Sequence, residues 1–229
     1  MRRLLFPIVT ALTLSFGLGC KTDASAVSAA NQSPQAASPV VQTQTDTRPL
    51  LLCFGDSITA GYGIESGNTY PQDLQALLDQ AGYHYRVVNA GISGNTTKDG
   101  LDRLQHLLAR KPQLAVVEFG GNDALRGLPL EQTQQNLASI IEGLQATGAG
   151  VVLAGITIPP SYGAQYVSRF NAIYPALAHR YKVPYLPFVL QGAYGTAGDM
   201  QEDGIHPTAQ GAQQVAKNIY HLLQPLLKH

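Results

Sequence analysis

From Leu50 to Leu223 the chain alternates apolar runs of strand length with stretches of helical period, and no other property of the sequence restricts its fold so strongly. Leu50-Leu-Leu-Cys-Phe54 is apolar throughout and ends at Gly55, as expected of a strand buried on both faces of a parallel sheet, with Cys53 as a small core residue. Further strands are expected at 85–89, 114–119, 150–156 and 183–188. Helices are expected at 70–80, 98–109, 130–146, 164–181 and 207–223, each long enough to cross over a sheet. Five such strands predict a three-layer α/β sandwich around a mostly parallel five-stranded sheet. No internal repeat interrupts the pattern.

Charge narrows the partners. The 15 Lys and Arg balance the 15 Asp and Glu, and no basic run exists to track a phosphate backbone, which argues against nucleic acid. Cys20 and Cys53 allow one disulfide at most and no Cys-rich zinc site, and the six histidines form no metal motif. Arg2 and Arg3 precede an uncharged, largely apolar run from Leu4 to Leu18 that is short for a membrane span, so residues 1–19 read as a secretory signal peptide. Residues 20–49 read as a flexible tether ahead of a single domain at 50–229. Between Lys21 and Pro49 there is no Leu, Ile or aromatic residue whose burial would offset the entropy of ordering. Gly17-Leu-Gly-Cys20 resembles a bacterial lipoprotein cleavage site. That resemblance implies a lipid on Cys20 and anchoring in the cell envelope, on the periplasmic or outer-membrane side, with Lys21 in place of Asp pointing to the outer membrane. Without the lipid the protein would be secreted or periplasmic and soluble.

In a parallel sheet, ligands bind at the carboxyl ends of the strands, and the polar clusters of this sequence fall at those ends. They are Gly55-Asp56-Ser57, Gly91 to Thr97, Gly120-Gly121-Asn122-Asp123 and, in the last loop, Asp203-Gly-Ile-His206-Pro. A serine hydroxyl attacks an acyl carbonyl when a base takes its proton, and His206 is the candidate base for Ser57. Asp203, three residues upstream, would fix the imidazole tautomer. Gly94 and the Asn122 amide are candidate donors to an oxyanion, with Gly91 as a second backbone candidate. Each residue alone admits a plainer role. Ser57 could cap a helix, Asp203 form a turn, His206 sit on the surface and Asn122 shape the bend after Gly120-Gly121. Asp56 reads as structural. Four separate turns meeting on one rim favour acyl transfer over these readings.

Taken together, Gly55-Asp-Ser-Ile-Thr, Gly94 in Ile-Ser-Gly-Asn-Thr-Thr, Gly120-Gly-Asn-Asp and Asp203-Gly-Ile-His-Pro resemble the blocks of the GDSL or SGNH hydrolases, over residues 50–225. Leu125-Arg-Gly, Ile173-Tyr-Pro and Pro184-Tyr-Leu-Pro-Phe resemble the bacterial arylesterase, thioesterase I and lysophospholipase L1 group within that family. Ile58 stands where the GDSL block has Leu. The resemblance implies a flavodoxin-like sandwich working as a monomer without metal or cofactor. Ser57, Asp203 and His206 would form the triad, and the Ser57 and Gly94 amides with the Asn122 side chain would hold the oxyanion. Apolar side chains on the following loops, Leu125, Leu128, Ile158 and Tyr162, would take an acyl or aryl group. An exported enzyme does not meet cytosolic acyl-CoA, so lysophospholipids, short fatty esters and aryl esters become the expected substrates. The rivals are a carbohydrate O-deacetylase, against which the absence of Trp weighs, and a non-catalytic surface lipoprotein, which would show a decayed triad.

Overall fold

The computed structural model describes residues 46–229; the expected signal peptide, Cys20 and nearly all of the expected tether lie outside the described residues. The first apolar run becomes β1 (Leu50–Gly55), buried at every position, with both of its edges paired because it lies inside the sheet. β2 (Arg86–Gly91) pairs with one side of it and β3 (Leu114–Glu118) with the other. β4 (Gly150–Ala154) and β5 (Tyr185–Leu186) extend the sheet beyond β3, giving the order β2-β1-β3-β4-β5 with every pair parallel. The chain steps outward from β1 to β2 and then returns to the far side of β1, so the order reverses between β1 and β3. A crevice opens at such a switch point, outside the carboxyl ends of the strands.

α1 (Ser57–Ala60) and α4 (Gly121–Leu125) are single turns that leave β1 and β3 directly at that crevice. The longer helices are α2 (Tyr70–Gln80), α3 (Thr97–Leu108), α5 (Leu130–Ala146), α6 (Ala164–Asn171), α7 (Ile173–Tyr181) and α8 (Ala209–Leu223). α2 packs against α8 on one face of the sheet, while α3, α5 and α7 form a row on the other. Capping fixes where α3 begins. The Thr96 N–H donates to Asp99 Oδ2 at 2.8 Å and the Asp99 N–H donates to Thr96 Oγ1 at 3.3 Å, which satisfies donors a helix start otherwise leaves unpaired. Between the layers lie Phe54 and Phe119, edge to face at 4.9 Å. The Cys53 thiol is buried and its pKa is pushed up to about 12 by desolvation, as suits a core residue.

The helix expected over 164–181 is two helices that meet at Ala172. Pro175 accounts for the break, because it has no N–H for the carbonyl four residues earlier and its ring crowds that carbonyl, which belongs to Asn171, the last residue of α6. The strand expected at 183–188 is only Tyr185–Leu186, since Pro184 and Pro187 on either side cannot donate to a ladder. The last helix starts at Ala209 rather than Pro207, because Thr208 caps it by accepting from the Gly211 N–H, and Pro207 pairs with Met200 in an isolated bridge.

Candidate active site

Ser57 is the first residue of α1, and Asp56 before it caps that turn by accepting from the Ile58 N–H at 3.3 Å. The strand-to-helix junction lifts the Ser57 hydroxyl into the crevice, 2.8 Å from His206 Nε2. On the other side of the ring, Nδ1 lies 2.6 Å from Asp203 Oδ2. Asp203 is itself held, because its Oδ1 accepts from the backbone N–H groups of Ile205 and His206, each at 3.0 Å. Desolvation pushes the Asp203 carboxyl up, but the hydrogen bonds from the His206 side chain, the His206 N–H and the Ile205 N–H outweigh it and leave the pKa lowered. A carboxylate so held keeps the proton on Nδ1, and Nε2 is then free to accept the hydroxyl proton. The His206 side chain is 14% exposed against 37% for Asp203.

Two contacts unseen in the sequence seat this loop. The Tyr62 ring leans on the His206 imidazole with centroids 4.7 Å apart. Gln201 donates from Nε2 to the Tyr62 and Pro207 carbonyls and from its N–H to the His206 carbonyl, so one side chain ties the serine segment to the histidine loop. Arg103 does the same for the other segments, since its guanidinium donates to the carbonyls of Gly55 and Ala90 and to Asn95 Oδ1. Only the fold brings these partners together, so no local signal marks them.

Of the expected oxyanion donors, Asn122 lines the cleft with Ser57, whereas Gly94 is not in its lining. Gly94 lies in the loop after β2 at φ 81°, the left-handed region that favours glycine, and its carbonyl accepts from Arg126 at 2.8 Å. Asn122 is in α4, where its Nδ2 donates both to Asp56 Oδ2 at 3.1 Å and to the Asn95 carbonyl at 3.0 Å. Both amide hydrogens are therefore engaged. Gly91, the alternative donor, uses its N–H on Asn89 Oδ1, and a Cβ there would stand 2.2 Å from the Ala60 nitrogen. It is a packing glycine that lets α1 approach β2. Asp123, next to Asn122, is buried and anchors α3 by accepting from the Thr97 N–H and hydroxyl.

A cleft of about 340 Å³ opens beside Ser57 and His206. Its walls are mainly apolar and include Leu125, Ile158, Val167, Phe188, Leu190 and Tyr194. Of the four side chains expected to hold an acyl group, Leu125 and Ile158 line it, whereas Leu128 and Tyr162 are exposed and lie outside its lining. Sequence reading missed Phe188 and Leu190, although they follow β5 at the same rim where the carboxyl-end rule directs attention. At the floor lie two buried carboxyls. Desolvation pushes Asp56 up to about 6, against hydrogen bonds from the Ile58 N–H, the Asn122 amide and the Ser57 N–H. Glu118, at the end of β3, is pushed well above the ordinary carboxyl range, first by desolvation and then by the neighbouring Asp56. Among the described residues no cluster of His, Cys, Asp and Glu is arranged to hold a metal ion.

A serine, an imidazole and a carboxylate hydrogen-bonded in a chain at the switch point of a parallel sheet, beside an apolar cleft, are the groups that hydrolysis of an acyl ester calls for, on a three-layer α/β sandwich. The chain belongs to the GDSL-like lipase/acylhydrolase family, whose family model matches residues 53–214, and it is a carboxylic ester hydrolase. It is 46% identical over 189 residues to esterase TesA of Pseudomonas aeruginosa, covering 82% of this chain and 94% of that protein. To the thioesterase 1/protease 1/lysophospholipase L1 of Escherichia coli it is 42% identical over 181 residues, 78% of this chain and 85% of the other. A crystal structure of TesA superposes with a TM-score of 0.75 at 47% identity, over 78% of this chain and 99% of that one.

Proposed function

We propose that the protein is an exported serine esterase that cleaves lysophospholipids, short fatty-acyl esters or aryl esters through an acyl-enzyme on Ser57. The observation that carries this reading is the chain from Ser57 Oγ to His206 Nε2 at 2.8 Å and from Nδ1 to Asp203 at 2.6 Å, opening into an apolar cleft. The Ser57 oxygen attacks the ester carbonyl while its proton passes to Nε2, and Asp203 stabilises the imidazolium that forms. The tetrahedral oxyanion is met by the N–H groups of Ser57 and Gly94 and by Asn122, which exchanges one of its two present acceptors for it. The alcohol or phenol leaves with the proton from Nε2. Water, deprotonated in turn by His206, then releases the acid and restores Ser57.

The names of the relatives, an esterase and a thioesterase with lysophospholipase activity, support this substrate range. The apolar N-terminal run and Cys20 support export with a lipid anchor. A fluorophosphonate should label the purified protein at Ser57, and label on another serine, or on none, would refute the assignment. A panel of p-nitrophenyl esters from acetate to palmitate, with lysophosphatidylcholine and acetylated xylan beside it, reads the acyl preference. Activity confined to the xylan acetate would make the protein a carbohydrate deacetylase instead.

A further inference from the structure

We propose that Glu118 is a positioning residue for hydrolysis at Ser57 and that it acts as the neutral carboxylic acid. The inference rests on Ser57 being the nucleophile. Glu118 lies opposite Gly55 in the β1–β3 register, directly beneath the turn that carries the serine. Its Oε2 accepts from the Asp56 N–H at 3.4 Å and from the Thr59 hydroxyl at 2.8 Å. One oxygen thus clasps the residue before Ser57 and the residue two beyond it. The Thr59 hydroxyl also lies 3.1 Å from the Tyr70 hydroxyl of α2, so Tyr70 can donate to Thr59 and leave the Thr59 proton aimed at Glu118. The carboxyl and the Thr59 hydroxyl fill the space that a side chain at residue 55 would need. A Cβ added to Gly55 would stand 2.7 Å from Glu118 Oε2 and 2.0 Å from Thr59 Oγ1.

The protonation state follows from what surrounds the side chain. Glu118 is 1% exposed, and its Oε1 is buried without a hydrogen-bond partner. None of the ion pairs among the described residues includes it. A carboxylate buried with neither a cation nor a full set of donors is strongly disfavoured. Tyr70 from α2 and Tyr174 from α7 face it with hydroxyls whose own pKa values burial raises well above the ordinary range, so both stay neutral. The group that carries charge nearby is Asp56, and two adjacent buried carboxyls do not both ionise. Asp56 accepts from Asn122 and the Ile58 N–H, whereas Oε1 of Glu118 has no donor at all, which places the proton on Glu118. As a neutral acid it holds the nucleophile turn without setting a second negative charge behind the developing oxyanion.

The test compares the full-length wild type with Glu118→Ala and Glu118→Gln. Three quantities are read: the rate of fluorophosphonate labelling at Ser57, kcat and KM on p-nitrophenyl butyrate, and the melting temperature. Alanine removes both acceptor contacts, so the labelling rate and kcat should fall about tenfold or more while KM stays within about twofold. Glutamine offers an uncharged acceptor to the same two donors and should bring both rates back to within about threefold of wild type. A glutamine variant as slow as alanine would show that the charged form is required, and a folded alanine variant as fast as wild type would show that nothing is positioned; either overturns the inference. If the alanine variant does not fold, the glutamine variant decides alone, supporting the inference by near-wild-type rates and overturning it by a tenfold loss. Wild type that is not labelled at Ser57 would instead remove the nucleophile on which the inference stands.

Discussion

The Asn122 amide has two hydrogens and, in the ground state, two acceptors, the Asp56 carboxyl and the Asn95 carbonyl. If one of them is given up to the oxyanion, Asn122→Ala should lower kcat by about 10²–10³ with KM little changed. Asn122→Asp should be at least as damaging, because it would set a carboxylate against the oxyanion and against Asp56; an Asp variant of nearly full activity would rule the role out. His206→Ala should cost on the order of 10⁴–10⁶ in kcat without loss of fold, and a variant of near-normal activity would remove the proposed base. Glu118 makes a separate thermodynamic claim. Its folded pKa is raised, so the folded state binds the proton more tightly than the unfolded one, and the stability it contributes is complete below the unfolded value of 4.5 and declines as pH rises above it. Glutamine cannot titrate. The melting temperature of Glu118→Gln should therefore gain on wild type steadily from pH 4 to pH 8, and a constant difference across that range would mean that Glu118 does not titrate there.

Among the elements, the serine turn is placed by close approach. α1 lies against the end of β2 where Gly91 has no side chain, and a Cβ would meet the Ala60 backbone at 2.2 Å. Gly91→Ala should destabilise the protein by about 1–3 kcal/mol and lower the rate of Ser57 labelling, because the helix that must shift is the one bearing Ser57. An unchanged melting temperature and labelling rate would show that α1 has slack. The sequence made the alternation of strands and helices plain because buried parallel strands are apolar at every position, as Leu50 to Phe54 are. It did not announce α1 or α4, whose 4 and 5 residues are too few to show a helical period. The break at Ala172 was readable in principle from Pro175, yet the apolar period runs straight through it. Among the site residues, those in tight polar turns, such as Ser57, Asn122, Asp203 and His206, stood out locally. Glu118, Gln201 and Arg103 did not, since a glutamate at the end of an apolar strand has meaning only once Thr59 and Asp56 are folded over it.

On the scale of the whole molecule, the expected lipid at Cys20 and the catalytic crevice lie on separate stretches of chain, for the sheet begins only at Leu50. Wild type should incorporate labelled palmitate and fractionate with membranes. Cys20→Ser should be soluble while keeping its kcat on p-nitrophenyl butyrate, and palmitate-free wild type would leave a simple secreted or periplasmic enzyme. Within the described residues no helix is long and apolar enough to cross a membrane. Ser57 and His206 meet across 149 residues of chain, and α2 and α8, which follow and flank them, pack on the same face of the sheet. A ribosome that has released everything up to Leu190 has exposed all five strands and Ser57, but not His206. With His206 as the base, ester hydrolysis waits for the closing residues of the chain, and a chain truncated before them should show no hydrolysis of p-nitrophenyl butyrate.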